Sequence, residues 1–340
     1  MGRHLWAFIT CLILCVISEL GLTPLATAAP LGDGFAGPAK VQRLVMATPR
    51  RAELTVYSPA MRRSVRVDVL LPAASARVVK RPTLYMLDGI DAGVYSGYTQ
   101  SGWTQYTDII DFMADKDVNV VLPIGGTGSY YTDWQRADPA LGTNKWETFL
   151  TRELPPLIDS RFDGNGRNAL EGLSMGATGA MMLAVRNPDL YVGAALFSGC
   201  LDLGDPAAQN ATAGSVTTRG GDPDNMWGPA YNKTWKAHDP GANIAALRGK
   251  SLYVAVGNGL PDPSLGVAGL ASPVGGVLEA AALACTRTFE EKARSAGVAI
   301  TYDYREGLHS WGYWNEDLRR SWPTIAEALG TRSLVTHRTD

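Results

Sequence analysis

The 340-residue chain predicts an α/β fold, a mostly parallel sheet flanked by helices in a single domain, and three observations predict it. Apolar runs alternate with helical patterns along the chain. Most of those runs lack the period-two alternation of a strand with one wet face, so they read as strands covered on both sides. Leu170-Glu171-Gly172-Leu173-Ser174-Met175-Gly176 reads as a strand that turns sharply into a helix and ejects a serine.

The elements follow in order. Arg3, an apolar run from Leu5 to Ile17, and Ala26-Thr27-Ala28 before Ala29-Pro30 have the three parts of a secretory signal peptide, so residues 1–28 are read as a leader cleaved near Ala28. The run is shorter than the roughly 20 residues of a spanning helix, and Glu19 interrupts its flank, so no transmembrane anchor is expected after cleavage. The expected location is secreted, at the cell envelope. Residues 29–330 form the domain and 331–340 a polar tail. Ala29 to Lys40 is a Gly- and Pro-rich lead-in. Val65, Val67 and Val69 alternate with Arg66 and Asp68, a strand with one wet face. Thr83–Leu87, Val118–Leu122, Asn168–Leu170, Ala194–Phe197, Leu252–Val256 and Ala299–Tyr304 are the covered strands. Helical patterns run over Trp146–Ile158, Met175–Asn187, Val277–Ala296 and Trp314–Leu329. Asp91–Gln105 and Asp202–Asn243 break the rhythm and read as long loops, whose aromatic residues would pack onto the core or stack on a sugar ring.

Hydrophobic content of 46%, 19% charged residues and a net charge of −2 are ordinary for a globular protein and offer no basic surface for nucleic acid. Cys11 and Cys15 leave with the leader. Cys200 and Cys285 could pair in an oxidising compartment or pack separately, one at a strand end and one inside a helix, and separate packing is the favoured expectation. The chain has no His-Glu-x-x-His, no Cys-x-x-Cys and no Gly-x-x-x-x-Gly-Lys-Ser/Thr phosphate loop, Gly249-Lys250-Ser251 lacking the earlier glycine, so neither a metal nor a cofactor is expected.

A serine hydroxyl is a poor nucleophile at neutral pH unless a base takes its proton. In the Gly-x-Ser-x-Gly elbow, Gly172 and Gly176 let strand and helix close around Ser174. Of four histidines, His4 leaves with the leader, His337 sits in the tail, and His238 lies upstream of the last strands. His309 follows the last strand, the α/β-hydrolase order. For the acid, both Asp262 and Glu279 are open. The amides of Met175 and Ile90, the latter in Leu87-Asp88-Gly89-Ile90, are the candidate oxyanion donors.

Further segments carry a resemblance. Leu87-Asp88-Gly89, Pro123-Ile124-Gly125-Gly126, Tyr131-Thr132-Asp133-Trp134, Lys145-Trp146-Glu147-Thr148-Phe149-Leu150, Met226-Trp227-Gly228-Pro229, Gly257-Asn258-Gly259, Leu278-Glu279 and His309-Ser310-Trp311-Gly312-Tyr313-Trp314 stand in the order of the antigen 85 type mycolyltransferases, which the chain resembles over most of its mature length. That resemblance implies Ser174 as nucleophile, His309 as base and Glu279, over Asp262, as acid. It also implies Asp88, Trp311 and Ser310 at the sugar, and trehalose mycolates or cell-wall arabinogalactan as partners. The implied activity is transfer of a mycoloyl group between sugars through an acyl-serine. A hydrolytic esterase and a non-catalytic carbohydrate-binding protein are the alternatives. The chain departs from the family pattern at Asp91, where an arginine is expected, at Leu141-Gly142-Thr143-Asn144, which lacks two cysteines, and over Leu260–Gly276.

Overall fold

The computed structural model describes residues 37–73, 80–264 and 272–331. The leader expected over 1–28 lies outside them, as does the tail expected over 331–340 except for Thr331. The strands are β1 (Lys40–Thr48), β2 (Arg51–Ser58), β3 (Arg63–Leu70), β4 (Arg81–Leu87), β5 (Asn119–Ile124), β6 (Gly164–Leu173), β7 (Tyr191–Phe197), β8 (Ser251–Gly257) and β9 (Thr301–Arg305). They form one sheet in the order β1-β2-β3-β5-β4-β6-β7-β8-β9. From β5 to β9 every pairing is parallel, and β1, β2 and β3 join antiparallel at one side. The alternation read from the sequence therefore holds over the parallel part.

Helices cover both faces. Met175–Arg186 is buried along nearly its whole length because it is built of Ala, Gly, Met, Leu and Val, and it packs in one core with Trp146, Phe149, Leu154 and Phe289. On the opposite face the helix Trp311–Leu329 sets Trp314, Leu318, Ile325 and Leu329 against Leu84, Met86, Ala169 and Phe197. In register, Leu87 of β4 pairs with Gly172 of β6, and Leu173 pairs with Phe197 of β7. The carboxyl ends of these strands thus come out side by side along one edge of the sheet. Ligands of open α/β sheets gather at such edges.

Several expectations are corrected. The antiparallel pair β1 and β2 is additional: β1 is exposed almost throughout, so it carries no hydrophobic pattern to read. Asp68 does not face water; it is buried and ion-paired with Arg51 at 2.7 Å. The last strand, β9, is the sheet edge and only partly covered. The pattern over Trp146–Ile158 is one helical passage with a π-turn at Phe149–Glu153 between α-helical ends. Both presumed long loops contain helices, Gly102–Tyr106 in the first and Pro206–Thr217, Pro223–Trp227, Lys233–His238 and Pro240–Asn243 in the second. Their starts are marked by Ser101, Asp205, Asp222, Asn232 and Asp239, each accepting an amide of the first turn. Pro at the start of three of these helices supplies a helical φ where no amide donor is needed. Among the described residues, no helix is long and apolar enough to cross a membrane.

Cys200 and Cys285 are joined in a disulfide, contrary to the expectation of separate packing. Cys200 follows β7 at the same sheet edge, and the helix Pro273–Ser295 packs across β8, which brings the two Cα atoms to 5.0 Å. The bridge closes a loop of sequence separation 85, and on the chain-entropy model such a loop stabilises by several kcal/mol. Replacing both cysteines by serine is expected to lower the unfolding free energy by about 2–5 kcal/mol, measured by chemical denaturation under non-reducing conditions. A midpoint equal to that of the unaltered protein would show that the bridge contributes nothing.

Candidate active site

Ser174 sits between β6 and the helix Met175–Arg186 at φ 53°, ψ −124°, a conformation that costs a non-glycine residue about 1–3 kcal/mol. What holds it there is close packing. A Cβ on Gly172 would lie 2.3 Å from the Gly176 carbonyl oxygen, and one on Gly176 would lie 2.4 Å from the Asp88 oxygen. Both glycines are therefore needed for strand, helix and the loop after β4 to meet. The Ser174 amide donates to the Phe197 carbonyl at 2.8 Å, fixing the turn to β7.

His309 Nε2 lies 2.8 Å from Ser174 Oγ, and His309 Nδ1 lies 2.9 Å from Glu279 Oε2. A carboxylate can only accept, so Nδ1 carries the proton and Nε2 is left to accept from the serine. Glu279 is fully buried, and its other oxygen accepts from the Gly257 amide at 2.6 Å and the Ser198 hydroxyl at 2.8 Å. Ser198 Oγ in turn accepts from Trp314 Nε1 at 3.0 Å. The His309 amide donates to the Gly275 carbonyl at 3.2 Å, and Trp314 meets the imidazole edge-on at 5.0 Å. Four elements thus fix the ring: β8, the end of β7, and the helices Pro273–Ser295 and Trp311–Leu329.

Behind Glu279, Arg305 Nη1 stands 3.9 Å from Oε1 while its guanidinium is held by both carboxylate oxygens of Asp317. Burial raises Asp317 to about 6 despite that pairing. Glu171, on β6, is fully buried, and burial pushes its carboxyl well above the usual range.

The sequence candidates fall as follows. Ser174, His309 and Glu279 form one hydrogen-bonded chain. Asp262 does not join it; this partly exposed residue accepts from the Ser264 amide at 2.8 Å through its carboxylate. Met175 is the first residue of its helix, where an amide has no intrahelical acceptor, and among the described residues no backbone bond engages the Ile90 amide. A Cβ on the neighbouring Gly89 would lie 3.6 Å from the Ser174 Cβ, so the Ile90 loop lies at the elbow. Asp88 is buried beneath it and accepts from Ser101 Oγ at 2.9 Å and the Gly102 amide at 3.1 Å. Trp311, partly exposed, covers Gly102 and packs against Trp103, Tyr106 and Trp314 as an aromatic wall. Ser310 precedes that helix without capping it through its side chain. Asp91 is ion-paired with Arg219 at 2.8 Å. Of the loop aromatics, Trp103, Trp227 and Trp235 are core residues, whereas Tyr95 and Tyr98 are exposed.

Ser198, the Gly257 amide and the Arg305–Asp317 pair were not found from the sequence. Ser198 left a faint signal, a polar residue directly after the covered strand Ala194–Phe197. Gly257 and Arg305 meet Glu279 through strand order, and Asp317 reaches Arg305 from the helix Trp311–Leu329.

A nucleophile elbow on a largely parallel sheet, with a histidine and a buried glutamate behind the serine, defines an esterase-type α/β-hydrolase. The Esterase family model matches residues 58–325. The chain is 34% identical over 263 residues to the diacylglycerol acyltransferase/mycolyltransferase Ag85B of Mycobacterium intracellulare, covering 74% of this chain and 77% of that one. It is 32% identical over 289 residues to Ag85A of Mycobacterium leprae, covering 82% and 83%. Among solved structures, Mycobacterium tuberculosis MPT51 (FbpC1) superposes with a TM-score of 0.69 at 27% identity, over 86% of this chain and all of the other. The Staphylococcus aureus serine hydrolase FphF shares the fold at 17% identity, with a TM-score of 0.60 over 86% of this chain and 99% of its own. The chain belongs to the Esterase family, among the Ag85 diacylglycerol acyltransferases/mycolyltransferases.

Burial raises Asp88 from 3.8 to about 7 and Asp68 to about 6, against the lowering effect of their hydrogen-bond and ion-pair partners. Between pH of about 4 and 7 the folded chain therefore holds protons that the unfolded chain has released, and this contribution to stability diminishes as pH rises through that window. Asp88→Asn removes the ionisation and keeps a polar amide. Its melting temperature relative to the unaltered protein is expected to be higher at pH 8 than at pH 5; a pH-independent difference would refute the buried charge at Asp88.

Proposed function

We propose that the chain is an exported serine acyltransferase that moves a mycoloyl group from trehalose monomycolate to a second trehalose mycolate or to arabinogalactan. The observation that carries this reading is the unbroken hydrogen-bonded chain Ser174–His309–Glu279 in a protein whose relatives are named for mycoloyl transfer.

In the first half-reaction Ser174 Oγ attacks the ester carbon and its proton passes to His309 Nε2. Glu279 stabilises the imidazolium that forms. The negative charge on the former carbonyl oxygen falls to the amides of Met175, at the helix start, and Ile90, next to Gly89. As the tetrahedral species collapses, the bond to the sugar oxygen breaks, His309 returns the proton to that oxygen, and a mycoloyl-serine remains. A hydroxyl of the acceptor sugar then gives its proton to His309 and attacks the acyl carbon; the bond from that carbon to Ser174 Oγ breaks, and His309 passes the proton to the departing serine oxygen.

Transfer must outrun hydrolysis, which requires an acceptor held against the acyl carbon with water largely displaced. The aromatic wall of Trp103, Tyr106, Trp311 and Trp314 beside the imidazole supplies an apolar side to the site, and Trp311 is the member we assign to the acceptor sugar. Asp88 supports the sugar site from beneath, holding the Ser101–Gly102 turn on which the Trp311 ring rests, and Ser310 flanks it.

Ser174→Ala and His309→Ala are each expected to lower acyl transfer by about 10⁴-fold or more, because members of such a chain act as a unit. Near-normal turnover in either variant would overturn the assignment. Incubated with an acyl trehalose, the protein is expected to yield mainly transacylated sugar when free trehalose is added. Free acid as the main product at every trehalose concentration would make it a hydrolytic esterase, and failure of a serine-directed phosphonate to label Ser174 would make it a binding protein.

A further inference from the structure

A cavity of about 510 Å³ opens at the end of β5, and its lining contains none of Ser174, His309 or Glu279. Its size is that of a small-molecule site. Arg63 and Arg66 reach it from β3, Tyr98 and Thr127 from the loops after β4 and β5, and Asn144 and Trp146 from the passage into the next helix. No Asp or Glu lines it.

The two guanidiniums are not equivalent. Arg66 is answered outside the cavity by Glu53 at 3.5 Å. Arg63 is half-buried, and among the described residues its polar contacts are Asn144 Oδ1 at 3.4 Å and the Met61 sulfur at 3.7 Å, with no carboxylate in reach. It lies 5.8 Å from the centroid of the Trp146 ring. That ring cannot retreat, since it is packed onto Gly125 and Gly126, where a Cβ on Gly126 would fall 2.9 Å from it. A cation withdrawn from water without a counter-ion is costly, and a bound anion is what removes the cost. Burial also pushes the Arg63 guanidinium down from its ordinary value, in keeping with that unmet charge.

Across the opening, Tyr98 Oη and Thr127 Oγ1 share a hydrogen bond of 3.0 Å, and both are hydroxyls able to exchange partners with a polyol. Thr127 is also bonded to the Asp91 carbonyl at 3.1 Å, and the Gly128 amide to the Ile90 carbonyl at 3.1 Å, so this wall is continuous with the loop that carries Ile90.

We propose that this cavity is a binding site for an anionic sugar, its phosphate or carboxylate paired with Arg63 and its hydroxyls met by Tyr98, Thr127 and Asn144. The site is distinct from the acyl-transfer centre and does not depend on the reading of Ser174.

Calorimetric titration of the full chain at low salt tests it, with glucose 6-phosphate, glucuronic acid, glucose and inorganic phosphate as probes. Saturable binding of at least one of the two anionic sugars is expected, about tenfold or more tighter than that of glucose or of phosphate, and whichever binds shows which anionic group the site takes. Arg63→Gln should weaken that binding by about tenfold or more, and the exposed Tyr98→Phe should weaken it in a protein that melts like the unaltered one. Absence of saturable binding of both anionic sugars up to about 10 mM, affinity unchanged in a folded Arg63→Gln, or phosphate binding as tightly as the sugar phosphate would each overturn the proposal.

Discussion

Everything at the sheet edge depends on one close approach, the contact of the Gly172–Gly176 turn with the backbone of Leu87 and Asp88. No side chain larger than hydrogen fits at either glycine, so the elbow helix starts directly over the loop after β4. That single constraint sets Ser174 in its unfavourable backbone conformation and brings the first amide of a helix to the same place as the Gly89–Ile90 turn. The cost of the conformation is met by the core below it, where the helix Met175–Arg186 is buried almost completely.

The second requirement is a buried carboxylate held by three hydrogen bonds, two on one oxygen and one on the other. Glu279 accepts from an imidazole, a backbone amide and a serine hydroxyl, and the serine is itself held by an indole. A group so engaged has little freedom to turn, which is what orienting the imidazole demands. Arg305 adds a cation at the edge of this network, and Asp317 balances it. The sheet supplies the arrangement: Ser198, Gly257 and Arg305 are the closing residues or immediate successors of β7, β8 and β9, neighbours in the order of strands.

That origin explains what the sequence could and could not reveal. The elbow is local, five residues with a fixed spacing, and the histidine could be reached by elimination because only four are present. The covered strands β4 to β8 were visible as apolar runs. Glu279 was not separable from Asp262 by spacing, since distance along the chain says nothing about which carboxylate a helix turns inward; family resemblance made that choice. Ser198 and Arg305 became neighbours of the site only through strand order. The Cys200–Cys285 bridge was missed for a similar reason, as a strand end and a helix interior give no sign of facing each other. The short helices between Pro206 and Asn243 were hidden by Gly, Pro and Asp, which mark their caps as readily as they mark loops.

His309 is attached twice to the helix Pro273–Ser295, through its amide to the Gly275 carbonyl and through its ring to Glu279 one turn further on. Imidazole and carboxylate therefore ride on a common support, while the serine belongs to a separate one formed by β6 and its helix. Any shift between these two bodies would leave the carboxylate–imidazole pairing whole and fall on a single joint, the 2.8 Å contact from imidazole to alcohol.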